Sequence, residues 1–193
     1  MKVARGCFFV LIMLFIGNVY AQSLNLDFEE IEKGMPKGYR GYGDGYKFVA
    51  DTTIGFMSKK SLHIYSKERR VQMGIVGAVF PVEAARGKKI VFSGFIKTEK
   101  VDQEWAWAGL WLRVTGKDAE GKPVILGYDN MSGRGAKYSE DWKRMVIEMK
   151  INEKATEITF GALLAGTGKA WFDYLEFEID GKLYDDVIPG LKK

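Results

Sequence analysis

Three of the chain's five tryptophans fall within seven residues of the stretch Trp105-Ala-Trp-Ala-Gly-Leu-Trp-Leu-Arg-Val-Thr115. From Trp107 onward the residues alternate, so an extended strand here puts Ala108, Leu110, Leu112 and Val114 on one face and Trp107, Gly109, Trp111 and Arg113 on the other. The aliphatic face reads as core. The opposite face offers two large rings, a guanidinium and a glycine gap, and Asp129, Asn130, Arg134, Trp142 and Arg144 add further groups of the same types. Sugars present flat C–H faces rimmed by hydroxyls, which aromatic rings meet by stacking and Arg, Asp and Asn meet with paired hydrogen bonds. The candidate ligand set is therefore Trp107, Trp111, Arg113, Asp129, Asn130, Arg134, Trp142 and Arg144. The same rings also suit burial under a loop or against a protein partner. Asp129 and Asn130, at a strand end, also suit side-chain caps of a turn.

Catalysis has less to stand on. With one histidine, His63, and one cysteine, Cys7, a nucleophilic triad lacks its members. A glycosidase needs two carboxylates across a cleft, and the pairs Asp102/Glu104 and Glu176/Glu178 read more simply as solvated surface charge. No catalytic residue is assigned. His63, between Leu62 and Ile64, reads as a surface or edge residue. The glycine clusters at residues 41–45 and 161–170 lack the strand, helix and lysine spacing of a phosphate-cradling loop and read as turns.

Positioning these side chains falls to strands. Alternating or apolar runs predict strands over residues 24–29, 46–51, 61–66, 74–80, 89–98, 107–115, 123–129, 142–151, 157–164 and 170–179, separated by glycine- and charge-rich turns. Residues 34–45, with five glycines in twelve positions, read as a long loop. About ten short strands without intervening helices indicate an all-β antiparallel sandwich or barrel. Residues 170–179 place Trp171, Leu175, Phe177 and Ile179 on one face, with Asp173 in phase. A carboxylate in a core row is costly unless it is solvated at a strand end, paired with an arginine or bound to a cation such as Ca²⁺; all three readings stay open.

Residues 1–21 combine Lys2 and Arg5, an apolar run from Cys7 to Ile16 and small residues before Gln22, the pattern of an export signal cleaved after Ala21. The run is short for a bilayer span, which wants about 20 apolar residues, so no membrane span is expected after cleavage. The expected organisation is a signal at 1–21, one β-sandwich domain at 22–180 and a tail at 181–193. The signal takes the only cysteine with it, leaving no disulfide. It also takes two of the 29 basic residues, so the remainder stands near +2 against 25 acidic residues. Scattered basic residues and an exported destination argue against a nucleic-acid partner.

Several segments carry a family resemblance. Asn25-Leu-Asp-Phe-Glu29, Ser61-Leu-His-Ile64, Lys89-Ile-Val-Phe-Ser-Gly94 and Trp171-Phe-Asp-Tyr-Leu175 resemble the jelly-roll carbohydrate-binding modules of galactose-binding-like fold. Trp107-Ala-Gly-Leu-Trp-Leu-Arg-Val114, Asp129-Asn-Met131, Asp141-Trp-Lys-Arg144 and Phe160-Gly-Ala-Leu-Leu-Ala-Gly-Thr-Gly168 are similar to a β-sandwich accessory domain found beside erythromycin-esterase-like or protease-like catalytic domains in exported bacterial proteins. The resemblance implies a secreted, periplasmic or surface-associated bacterial binding module for a glycan or related polymer, or one docking on a protein partner. It also implies a structural Ca²⁺ joining the first and last strands through Glu29 and Asp173. Two adjacent acids follow the aromatic pair in the narrower family, whereas this chain has Asp173-Tyr174.

Overall fold

The computed structural model describes residues 24–67 and 72–187; the proposed signal sequence lies outside them. A short ribbon, β1 (Ile31–Glu32) and β2 (Met35–Pro36), turns through Lys33 and Gly34, both at positive φ, as a two-residue hairpin loop requires. There follow β3 (Arg40–Tyr42), β4 (Lys47–Asp51), β5 (Ser61–Ser66), β6 (Met73–Phe80), the helical turn α1 (Val82–Ala85), β7 (Lys89–Glu99), β8 (Trp107–Lys117) and β9 (Pro123–Asp129). The chain continues through β10 (Lys143–Lys150), β11 (Glu157–Ala165), β12 (Gly168–Ile179), β13 (Lys182–Leu183) and the turn α2 (Tyr184–Val187). One sheet runs β10-β7-β12-β5-β4, with β13 added to β12, and the other runs β3-β6-β11-β8-β9, all antiparallel. From β5 onward the chain crosses repeatedly between the sheets, so this is a jelly-roll sandwich.

Alternation drives the layering. Ala108, Leu110, Leu112 and Val114 of β8 and Ile158, Phe160, Ala162 and Leu164 of β11 are all buried. They face Ile90, Phe92 and Ile96 of β7 and Phe172, Phe177 and Ile179 of β12. Phe160 sits among Phe80, Phe92, Phe177 and Tyr39 at centroid distances of 6.4, 5.4, 4.9 and 6.0 Å, mostly edge to face. Those arrangements suit the ring quadrupoles, and truncating such a residue to alanine costs about 3–5 kcal/mol.

Four sequence expectations are corrected. Residues 24–29 are not a strand: Asn25 and Phe28 have φ of 49° and 53°. The Asn25 amide donates to the Glu30 and Lys37 carbonyls and its oxygen accepts the Glu30 N–H, so one side chain takes over the work of a strand partner. Phe28 then plugs the core beside Tyr39. The glycine-rich run is not all loop, because it holds β2 and β3. In β12 the phase changes at a bulge: Asp173 pairs with Phe95 and Glu176 with Ser93, three positions against two, and Tyr174 takes a φ of 49°. Ala170, Phe172, Leu175, Phe177 and Ile179 therefore point inward, while Trp171 and Asp173 belong to the outer face. Finally, His63 is neither free surface nor edge. Its strand lies between β12 and β4, and its side chain is 13% exposed.

Candidate functional site

The outer face of the β3-β6-β11-β8-β9 sheet forms a groove of about 880 Å³. Register fixes its floor. Arg40, Gly77, Gly161 and Trp111 stand in one cross-strand row, and Val79, Thr159, Arg113 and Tyr128 in the next. The Trp111 indole lies across the sheet, over β11 as far as β6, where its N–H donates to the Val76 carbonyl at 3.0 Å. Two glycines permit this. A Cβ at Gly77 would meet Trp111 Cζ2 at 2.6 Å, and one at Gly161 would collide with the Val76 carbonyl. Tyr42 on one edge and Tyr128 on the other are 61% and 53% exposed, so the half-buried indole lies between two free rings. Arg113 Nε and Thr159 Oγ1, neighbours in the groove, are buried without a hydrogen-bond partner.

The sequence singled out Trp111 and Arg113 for this site, but not Arg40, Tyr42, Gly77, Tyr128 or Thr159. Arg40-Gly-Tyr42 sits in a run whose glycines signalled loop, and Tyr128 alternates out of phase with the more conspicuous Asp129. Trp107, Asp129, Asn130 and Arg134 gather instead at the start of β8 and the end of β9. The Trp107 N–H donates to the Asn130 carbonyl at 3.2 Å. Asp129 and Asn130 cap turns through the Met131 and Ser132 N–H groups. Arg134 grips Asp129 with two hydrogen bonds of 2.8 and 2.6 Å, which hold the carboxyl below its usual range. Trp142 and Arg144 lie on the other sheet, where Trp142 packs 5.9 Å from Phe56 and Arg144 donates to Ser93.

Asp173 is 1% exposed although it points outward, because residues 54–60 cover it. Phe56 stacks on Phe95 at 3.6 Å. Asp173 accepts the Phe56 and Tyr174 N–H groups and the Ser58 hydroxyl, so it is neither solvated nor held by an arginine. Burial pushes its carboxyl up to about 6 against those hydrogen bonds, and the Glu29 charge pushes the same way. Lys60 Nζ lies 3.1 Å from Glu29 Oε2 and 2.7 Å from the Glu29 carbonyl, while Oε1 is buried without a partner. The unpartnered Glu29 oxygen and the buried Asp173 carboxylate, whose charges repel each other, are oxygen donors of the type a hard cation takes. Among the described residues no third acid or histidine joins them, so backbone carbonyls and water would complete the shell.

On the same outer face His63 stacks on Trp171 at 4.4 Å and 9°, and the Trp171 N–H donates to Asp51 at 2.8 Å. Burial pushes Asp51 up, but the bonds from Trp171, Thr53 and Ile54 together leave it below its usual range.

Comparison with solved structures bears on the fold. The C-terminal family 22 carbohydrate-binding module of Clostridium thermocellum Xyn10B matches with a TM-score of 0.53 at 12% identity, over 81% of this chain and 91% of that one. The CBM22-1 xylan-binding domain of Paenibacillus barcinonensis Xyn10C matches with a TM-score of 0.52 at 16% identity, over 81% and 92%. The fold is the jelly roll of carbohydrate-binding modules. At these identities the likeness concerns the fold alone. No protein-family profile matches the chain. In sequence, the uncharacterized HTH-type transcriptional regulator YbfP of Bacillus subtilis is 33% identical over 99 residues, 51% of this chain. The match spans only 31% of that regulator's length. Among the described residues no helix is long and apolar enough to cross a membrane.

Proposed function

We propose that this chain is a non-catalytic carbohydrate-binding module that holds a polysaccharide along the groove floored by Trp111. The observation that carries this reading is the indole laid across Gly77 and Gly161 between exposed Tyr42 and Tyr128. Rings arrayed along a groove stack on apolar sugar faces, and Arg113 and Arg40 supply the polar rim. The fold shared with xylan-binding domains supports the ligand class. Titration of intrinsic fluorescence with soluble polysaccharides tests it. Saturable binding to at least one neutral or acidic polymer is expected, weakened about tenfold or more by Tyr42→Ala and by Tyr128→Ala, whose exposed rings leave folding intact. Absence of binding across the panel, or binding indifferent to both substitutions, overturns the reading.

Two further parts of the proposal concern stability and destination. Glu29 and Asp173 would hold Ca²⁺, whose charge would offset their mutual repulsion and tie the 54–60 covering segment to β12; its part is structural. Export through residues 1–21 is proposed from their composition. A second reading, docking on a protein partner, is favoured by Met57 and Tyr174, 83% and 43% exposed beside Phe56 and Trp142 on the opposite sheet.

A further inference from the structure

The groove's charges are unevenly compensated. Glu30, the one carboxylate among its lining residues, is taken up by Lys37 at 2.9 Å. Arg40 has no ion pair among the described residues and is exposed. Arg113 meets Glu157 only at 4.0 Å, beyond hydrogen-bond reach. Its Nε is buried with no acceptor while its side chain as a whole is 43% exposed, so one edge of the guanidinium has lost water without gaining a partner. Such a cation, already partly desolvated and fixed on a strand, binds an anion with less ordering and desolvation cost than a free surface lysine would. Arg113 follows Trp111 by two positions on the same face, about 7 Å along the strand. Arg40 stands in the Trp111 row three strands away, about 14 Å across the sheet.

We infer that the groove selects an acidic glycan, with Arg113 and Arg40 pairing with the carboxylates of uronic acid units flanking the ring stacked on Trp111. This rests on the glycan-binding reading above and adds the class of sugar. A planar carboxylate takes two parallel N–H donors from one guanidinium. A neutral polymer would leave Arg40 without an ion pair among the described residues and Arg113 with only Glu157 at 4.0 Å.

The test is calorimetric titration of the purified protein with polygalacturonate and glucuronoxylan oligomers, each beside the same oligomers with carboxyls reduced to alcohols. At least one acidic oligomer should bind ten times or more tighter than its reduced form. Arg113→Gln and Arg40→Gln should each shrink that ratio to within threefold, while Lys150→Gln on the opposite sheet leaves it unchanged. Equal affinity for acidic and reduced forms overturns the inference and leaves the glycan groove standing. Affinity for dextran sulfate exceeding that for every uronate, insensitive to the arginine variants, overturns the carboxylate assignment. No affinity for any of these or for neutral polysaccharides removes both readings.

Discussion

A methyl group at Gly77 would stand 2.6 Å from Trp111 Cζ2, so Gly77→Ala must lift the indole off the sheet. Glycan affinity is expected to fall by about 1–2 kcal/mol, roughly five- to thirtyfold in Kd, with a modest drop in melting temperature, since the Trp111–Val76 hydrogen bond is lost but the methyl group chiefly meets a side chain at the groove surface. Gly161→Ala instead drives a Cβ into the Val76 carbonyl between two paired strands. It should cost on the order of 3 kcal/mol of stability, read by denaturant melts. His63 makes a different residue-scale prediction. Burial lowers its pKa to about 4, against the opposing pull of Asp51, with Lys169 and Glu99 also acting on it. A base whose folded pKa lies below its unfolded value leaves the unfolded chain binding more protons between the two. The stability His63 contributes is therefore complete above about 6.5 and is lost as pH falls towards 4, up to about 3 kcal/mol. Melts of the protein and of His63→Gln between pH 7 and 4.5 should show the smaller loss on acidification in the variant. Parallel losses would mean that His63 titrates as if exposed.

Period-two patterns carried the long strands: β5 and β9 have their predicted limits, and β4, β6, β7, β8, β10, β11 and β12 begin and end within two residues of them. The inward rows of β8 and β11 were legible for the same reason, since aliphatic alternation has one physical outcome in a sandwich. Where local side-chain chemistry replaced pairing, the pattern misled. Leu24, Leu26 and Phe28 alternate, yet Asn25 bends the chain there. The β12 bulge was equally invisible, because one extra residue leaves no compositional mark while turning every later side chain over. Trp111 and Arg113 were legible from alternation, but their partners depended on register between strands far apart in sequence, as Arg40 opposite Gly77 shows. The proposed Ca²⁺ would act at this scale too, between the segment before β1 and the bulge of β12. Saturating Ca²⁺ relative to EDTA should raise the melting temperature by about 5–10 °C, as binding at 100-fold its Kd contributes about 2.7 kcal/mol. Asp173→Asn should abolish the difference. An identical melt in EDTA would leave Lys60 as the cation that serves Glu29.

At the scale of the whole molecule, the two sheets present unlike faces. The β3-β6-β11-β8-β9 sheet carries a glycine-floored groove with unpaired polar atoms and surplus cations. The other sheet carries closed arrangements: the Phe56–Phe95 stack over Asp173, the His63–Trp171 stack on Asp51 and the ion pairs Lys97–Asp141 and Lys169–Glu99. The groove joins exposed rings and cations to two unpartnered atoms, Arg113 Nε and Thr159 Oγ1, whereas the other sheet, where His63 Nε2 is also unpartnered, has its rings stacked and these charges paired. The most direct test of a ligand in the groove follows the indole N–H signals of the five tryptophans by NMR during titration with the best-binding oligosaccharide. Trp111 should shift and saturate with the backbone signals of Gly77 and Thr159, while Trp142 and Trp171 stay in place. Shifts centred on Trp142 with Trp111 unmoved would contradict it and put the ligand on the opposite sheet.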